Sequence, residues 1–233
     1  MRIWIPLIFG IAGVAVLASL GIWQVKRLAW KEALLEQMES RLTGQAEPLL
    51  ALSAPLNEEW HNYRKVSVEG TLSGREAHVL ASERFEGPGY RIVSEFTYFQ
   101  RKFFVDLGFV EETQKNAERP TGRVRITGNL LWPDDYDPKF TPAPDLENNI
   151  WFARHLPSLS AHFEIDPILI VASEIEIDEG QDFVPYTFTK LKPVTITGIP
   201  NDHLEYAITW FSLALVWAGM TAFLLWRIRG RNH

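Results

Sequence analysis

The sequence contains no cysteine in its 233 residues. The absence of thiols excludes disulfides, thiolate zinc sites, cysteine-ligated iron–sulfur clusters and a cysteine nucleophile. Two long blocks, residues 3–25 and 207–226, also lack Asp, Glu, Lys, Arg and His. Four of the 23 Lys and Arg residues and none of the 29 Asp and Glu residues lie outside residues 26–206, so that middle region carries a net charge of −10. An acidic middle region argues against a nucleic-acid-binding protein, because phosphate contacts need a basic surface.

Common catalytic motifs are missing as well. The sequence has no G-x-S-x-G, no Gly-rich phosphate loop and no H-E-x-x-H. His155 and His162 are seven residues apart and supply two metal ligands at most, so we interpret both as ordinary polar or packed histidines. We therefore expect a protein that is not an enzyme. A membrane-anchored hydrolase is the alternative, with no nucleophile motif to support it.

The two uncharged blocks have the length of membrane spans. At 1.5 Å per residue a helix over the first block is about 34 Å long, and one over the second is about 30 Å long. A buried core helix is the alternative for either block, and a signal peptide for the first. The first block continues past signal-peptide length into Lys26 and Arg27, which disfavours cleavage. Tryptophans stand near the ends of both blocks, as at membrane boundaries: Trp4, Trp23, Trp210 and Trp226.

The charges that flank the two spans disagree about orientation. Arg227, Arg229 and Arg231 follow the second span and predict a cytoplasmic C-terminus. Basic residues also follow the first span, but they open a long domain whose own charges count for little in translocation. We therefore expect both termini in the cytoplasm and the central domain outside. Since no Arg-rich, Ser-rich transit segment precedes the first span, a bacterial inner membrane with a periplasmic domain is the predicted location.

The middle region has mainly the period of β-strands. We predict an α+β membrane protein in which two transmembrane helices flank a β-rich, antiparallel barrel- or sandwich-like domain with one short helix. The expected elements are an amphipathic helix at 27–42, strands at 66–70, 77–81, 90–99, 102–110, 124–130 and 168–177, and a helix at 156–163. A turn is predicted at Ser73–Arg75, a tight hairpin turn at Gln100–Arg101 and an irregular segment at 133–149.

These elements give five predicted regions. They are the first span (1–25), an amphipathic helix and linker (26–45), the periplasmic β-rich domain (46–200), the second span with its capping segment (201–227) and a cytoplasmic tail (228–233).

The segment directly before the second span combines several polar residues. Asp202 is placed to cap the helix, and Glu205 to reach back to the cap amide. Capping does not require His203, however. An imidazole at a membrane boundary is also a suitable axial ligand for a lipophilic haem. The residue pattern leaves both interpretations open.

Four motifs in this chain resemble those of the surfeit locus protein 1 family. They are N-x-H-L-x-Y-A-x-T-W at 201–210, G-x-W-Q-x-x-R at 21–27, Y-R-x-V…G at 63–70 and N-x-W-F/Y-x-R at 149–154. The chain departs from the family at three places. Asp106-Leu107-Gly108-Phe109-Val110 stands where Asn-Arg-Gly-Trp-Val is expected, His155 replaces an Asp, and Asp202 replaces a frequent Asn.

The resemblance implies a non-enzymatic assembly factor for haem-copper cytochrome c oxidase. Such a factor delivers haem a to oxidase subunit I or stabilises that subunit, and haem A synthase is a further candidate partner. A cofactor-free membrane chaperone of subunit I is the alternative.

The resemblance also suggests individual site residues. It implies His203 as the ligand of the haem iron. We expect Trp23 and Trp210 to line the porphyrin, and Glu205 and Tyr206 to orient the imidazole. Residues expected to contact a partner protein rather than to catalyse are Trp151, Arg154 and Arg27.

Overall fold

A computed structural model describes residues 3–52, 55–180 and 182–230. The chain divides into a helical unit, Met1–Met38 with Ile196–His233, and a β-rich unit, Glu39–Thr195. Parts of three predicted regions lie outside the described residues. These parts are residues 1–2 of the predicted first span, residues 53, 54 and 181 of the predicted β-rich domain and residues 231–233 of the predicted tail.

The helical unit is built from two long helices, α1 (Trp4–Thr43) and α4 (His203–Gly230). Both are long and apolar enough to cross a membrane, and only 11% and 6% of their most apolar windows are buried. A core helix of a soluble protein would be mostly buried, so these helices are those of a membrane protein. The helix predicted at 27–42 is the continuous C-terminal part of α1.

Most of the β-rich unit is one sheet. In the part of the chain that the structure describes, its strands are β1 (Glu47–Pro48), β2 (Lys65–Glu83), β3 (Gly87–Tyr98), β4 (Arg101–Glu111), β5 (Gly122–Leu131), β6 (Ile150–Trp151), β7 (Leu169–Asp178) and β8 (Phe183–Pro185). Strands β2, β3, β4, β7 and β5 are hydrogen-bonded in that order, and β5 pairs again with β2. This last pairing closes a five-stranded barrel, so the predicted barrel is confirmed.

Strand β2 continues without interruption across Ser73–Arg75, so the turn predicted there was wrong. Its pairing with β3 shifts register between Leu72 and Glu76, and Gly74 has a φ of 83°. Residues 65–72 pair with β5, whereas the residues after the shift pair with β3 and, at His78 and Val79, with β6. The Ser-Gly-Arg sequence therefore marks a bulge that bends β2 from one neighbour towards the other.

The predicted hairpin and an unexpected parallel pairing complete the barrel. Strands β3 and β4 pair in an antiparallel way around a tight turn in which Phe99 has a φ of 53°. Strands β4 and β7 pair in parallel, which corrects the expectation of a wholly antiparallel sheet. A parallel neighbour needs a long connection, and residues 112–168 supply it.

Buried apolar side chains fill the interior of the barrel and form a second cluster on one of its outer faces. Inside the barrel, Phe96, Phe103 and Ile126 are among the fully buried side chains. On the outer face lies a second cluster that includes Phe104 of β4 and Trp151. The predicted helix α3 (Leu156–Phe163) covers this cluster with side chains of its apolar face: Leu156, Leu159 and Phe163. Another short helix, α2 (Glu58–His61), precedes β2.

The irregular segment at 133–149 is held by specific contacts, although it forms no helix or named strand. Asp135 accepts hydrogen bonds from the Nε and main-chain N–H of Arg154 at 2.9 and 3.1 Å. The Tyr136 and His155 rings stack with centroids 4.0 Å apart. At its end, Asp145 and Ile150 form an antiparallel bridge. The segment is thus an ordered arm on the barrel.

A buried carboxylate connects this arm to the barrel. Asp106 of β4 is fully buried, and its Oδ2 accepts from Nε of Arg91 at 2.7 Å and from Nη1 of Arg154 at 3.4 Å. Its Oδ1 accepts from the Gly108 main-chain N–H at 3.0 Å. Because Arg154 also bonds Asp135, one chain of ion pairs runs from β3 to the arm. Asp106 stands where the family motif has Asn, and two arginines neutralise its charge.

We expect Asp106→Ala to destabilise the β-rich unit by about 3 to 5 kcal/mol, because it leaves two arginines without their buried partner. Asp106→Asn should cost less, since the amide oxygen still accepts from Gly108. The free energy of unfolding of the full chain in detergent, from denaturant titrations, measures both effects. Equal stability of the two variants would contradict this account of Asp106.

Candidate functional site

Two of the family-like motifs meet at the start of α4. Gln24 belongs to the motif at 21–27 and His203 to the motif at 201–210, and Nδ1 of His203 lies 2.8 Å from Oε1 of Gln24. The Gln24 residue is only 8% exposed, and His203 is half-buried. The hydrogen bond uses Nδ1 and leaves the other ring nitrogen, Nε2, for another partner. The site is thus an imidazole fixed by a buried amide between the two helices.

Small residues on α1 let the two helices approach this closely. A Cβ built on Gly21 would lie 2.8 Å from the Phe211 ring, and one built on Gly10 would lie 2.1 Å from the Thr221 side chain. Glycine at such positions is typical of packed transmembrane helices. Gly21 lies one turn before Gln24, so the contact with Phe211 sets the spacing at the site.

The other predicted haem-site residues are Tyr206, Trp210 and Trp23. Tyr206 and Trp210 follow His203 by three and seven residues and so share one face of α4. Tyr206 is 56% exposed and Trp23 is 55% exposed, whereas Trp210 is half-buried. The structure therefore leaves much of the Tyr206 and Trp23 side chains exposed near the ends of the apolar helices.

The His203 side chain contacts Gln24, and orientation of the imidazole by Glu205 and Tyr206 stays a prediction. The sequence signal for Gln24 was available. It is the most polar side chain of the first apolar block, and it lies inside the motif at 21–27. Its partner is 179 residues away, so no local pattern connects the two.

Basic side chains near the site have local partners. The Arg27 guanidinium lies 3.8 Å from the centroid of the Trp30 ring, and Nζ of Lys31 donates to the main-chain carbonyl of Pro200. At the start of α4, the Tyr206 N–H donates to the Asp202 carbonyl at 3.1 Å, which places Asp202 at the N-cap position. A partner contact by Arg27 stays a prediction, as does side-chain capping by Asp202.

The remaining predicted partner residues lie in the β-rich unit. Trp151 is 3% exposed and packs in the outer core cluster, so its ring is not offered to a partner in this structure. Arg154 is bound by Asp106 and Asp135. The neighbouring Phe152 is more exposed, at 36%. A structural role accounts for Trp151 and Arg154, and contact with a partner through this segment stays a prediction.

Another titratable cluster lies at the bend of β2. Glu76 accepts from Nε of Arg119 at 3.1 Å and pairs with Nε2 of His78 at 2.8 Å. Burial acts to raise the pKa of Glu76, but the hydrogen bonds from His78 and Arg119 outweigh it, so the pKa lies below its ordinary value of 4.5. Burial raises the pKa of nearby Tyr186 to about 12. Arg119 also donates to the carbonyls of Gln114 and Lys115, so the cluster fastens a loop to the barrel.

His155 is hydrogen-bonded and His162 is packed against an aromatic ring, as expected for these two histidines. His155 bonds the Ser158 hydroxyl at 2.6 Å, and His162 meets the Trp151 ring edge to face at 5.5 Å. Among the described residues, no group of three or more His, Cys, Asp and Glu side chains is arranged to hold a metal ion. Among the described residues of the helical unit, His203 is the one histidine.

The fold and the site together define a class: a membrane protein with two helical spans, a closed β-barrel domain between them in sequence, and a histidine at the start of the second span. The sequence pattern of the SURF1 family matches residues 11–215. The chain belongs to the SURF1 family.

Named relatives show the same extent of similarity. A SURF1-like protein of Rickettsia conorii (strain ATCC VR-613 / Malish 7) is 29% identical over 208 residues, covering 86% of this chain and 82% of its own length. Surfeit locus protein 1 of Xenopus tropicalis is 28% identical over 220 residues, covering 84% and 67%. A SURF1-like protein of Drosophila melanogaster is 29% identical over 234 residues, covering 90% and 72%.

The close approach of the two helices can be tested in this naturally cysteine-free chain. We expect Gly10→Cys with Thr221→Cys to form a disulfide, because the Cβ of residue 10 would lie 2.9 Å from that of Thr221. A shift of about 1 Å brings this separation into the range of about 3.5 to 4.5 Å found in disulfides. After oxidation and proteolysis of the central domain, a non-reducing gel should show the two helices still linked.

The matched control combines Gly10→Cys with Gly219→Cys. No atom lies within 4 Å of a Cβ built on Gly219, so this pair should stay unlinked. Equal cross-linking of both pairs would show that the helices do not pack through the Gly10 face.

Proposed function

We propose that this chain is a non-enzymatic assembly factor for haem-copper cytochrome c oxidase. In this proposal it holds haem a transiently through His203 and presents it to oxidase subunit I, with haem A synthase as the candidate donor. The observation that carries the proposal is the His203–Gln24 pair, which brings together two motifs of a SURF1 family member at the start of a membrane span.

The donor set suits temporary binding. His203 offers a single nitrogen ligand, and no second histidine lies in α4 or in the apolar part of α1. One axial bond holds more weakly than two, so release to an acceptor with its own ligands is favourable. When bound, the haem supplies the redox-active iron that the finished oxidase needs, and the factor itself changes no covalent bond.

The surroundings of His203 suit a flat, apolar ligand. Tyr206 and Trp210 share its helix face, and Trp23 is the exposed neighbour of Gln24. Aromatic rings at a membrane boundary combine apolar surface with a polar edge. In the proposal these three side chains contact the porphyrin, while Gln24 holds the imidazole.

The proposed location is the bacterial inner membrane, with both termini cytoplasmic and the β-rich unit periplasmic. Arg227 and Arg229 at the end of α4 support this orientation. The opposing charges after the first span include Arg27 and Lys31. Their contacts with Trp30 and the Pro200 carbonyl give them a structural role on the outer side.

If His203 is the ligand, His203→Ala removes haem a from the purified protein and lowers oxidase activity, while the protein still accumulates in the membrane. The helix start should survive, because its first hydrogen bond is to the Asp202 carbonyl. The visible spectrum of protein purified from cells that make haem a measures this directly.

Asp202→Ala is the matched control. It should cost about 1 kcal/mol of helix stability through loss of a cap and leave the haem spectrum intact. A His203→Ala protein with an unchanged spectrum would contradict haem ligation. The cofactor-free chaperone of subunit I would then replace the present proposal.

Orientation is tested by reporter fusions. A reporter that is active only in the periplasm should be silent when fused after residue 233, because the arginines after α4 favour a cytoplasmic end. The same reporter inserted in the exposed β2–β3 turn at Phe85 should be active. Activity of the C-terminal fusion would reverse the proposed topology.

A further inference from the structure

We propose that Gln24 is a positioning residue that fixes the tautomer of His203. In this arrangement the imidazole proton sits on Nδ1, and Nε2 presents its lone pair to the iron. The inference rests on the proposed function for the identity of the iron ligand. The tautomer itself is a property of the protein alone and can be measured without haem.

The direction of the hydrogen bond follows from the atoms involved. The partner of Nδ1 is Oε1 of Gln24 at 2.8 Å, and an amide oxygen carries no proton. With the Gln24 amide in this orientation, Nδ1 donates. A neutral imidazole has a single ring proton, so donation from Nδ1 leaves Nε2 unprotonated and able to bind a metal.

Burial makes this choice of tautomer firm. Gln24 is almost completely buried, so water does not compete for Oε1. If His203 carried its proton on Nε2, the Nδ1 and Oε1 lone pairs would face each other across 2.8 Å. An acceptor that lacks a donor in a buried place costs about 1 to 3 kcal/mol. That cost corresponds to a preference of about 5- to 150-fold for the Nδ1–H tautomer.

An amide also suits the membrane boundary better than a carboxylate. A carboxylate in the uncharged block would be expensive to desolvate beside apolar neighbours. It would also make the imidazole more basic and strengthen its bond to a metal. Glutamine orients the ring without adding charge. Its effect therefore suits a ligand that must later release its cargo.

The first measurement concerns the tautomer. The full chain, labelled with ¹⁵N-histidine and held in detergent without haem, gives ring-nitrogen resonances, and His203→Ala identifies those of His203. We expect the spectrum of an Nδ1-protonated ring in the wild type. Gln24→Leu should convert it to a mixture of tautomers, because the only described partner of Nδ1 is lost. A wild-type ring protonated on Nε2 would overturn the inference, whatever its affinity for haem.

The second measurement is a titration with haem a. Loss of the hydrogen-bond partner of a metal ligand typically lowers affinity about 10- to 100-fold, and we expect a loss in this range for Gln24→Leu. Gln24→Glu keeps an acceptor oxygen and should bind haem a at least as tightly as the wild type. Unchanged affinity in Gln24→Leu would overturn the positioning role while leaving His203 as the ligand.

Ser19→Ala is the matched control for the loss of a polar group from α1. The Ser19 hydroxyl donates to the Ala15 carbonyl of its own helix at 2.7 Å and touches nothing at the site. This variant should keep the wild-type tautomer and affinity. Failure of the wild-type protein to bind haem a, with His203 protonated on Nδ1, would overturn the proposed function rather than the tautomer assignment. The two claims are thus separable.

Discussion

Closure of the barrel between β2 and β5 is the constraint on which the rest of the β-rich unit depends. Eight residue pairs, from Lys65 with Asn129 to Leu72 with Gly122, join β2 to β5. The chain has no disulfide to hold these strands, so the ladder and the core must do so. The Asn129 side chain extends the closure. It donates to the carbonyls of Leu42 and Tyr63 and thus connects the closing strand to the end of α1.

In the helical unit the governing requirement is different. Two apolar helices gain little from the hydrophobic effect inside a bilayer, so close packing and a few polar contacts must hold them together. Glycines on α1 allow that packing, and Gln24 and His203 supply a polar contact at one end. A buried amide without a partner would be unfavourable there. The same hydrogen bond therefore stabilises the helix pair and sets up the candidate ligand.

Patterns within a short stretch of sequence predicted much of this structure. The apolar blocks predicted the two spans, and Pro157 with Ser158 and Ser160 predicted α3. The β-rich runs at 90–99 and 102–110 predicted the β3–β4 hairpin, although its turn lies at residues 99–100 rather than at Gln100–Arg101. Ser73–Arg75 was misread because a bulge and a turn use the same residues. What differs is whether the partner strand continues, and that depends on distant sequence.

Features that join distant segments were beyond such patterns. The parallel pairing of β4 with β7 depends on a connection of more than fifty residues, and local alternation of polar and apolar residues does not reveal it. Asp106 looked like a departure from the family motif until the structure placed two arginines beside it. The Gln24–His203 pair joins the two ends of the chain, so motif matching located both residues without showing that they touch.

The order of the strands also bears on how the protein is made. The barrel cannot close before β7 has been synthesised. Strand β7 ends at Asp178, which precedes all residues of α4. Domains generally fold as units during synthesis, starting from the N-terminal side. We therefore expect the barrel to close before the hydrogen bond between Gln24 and His203 can form.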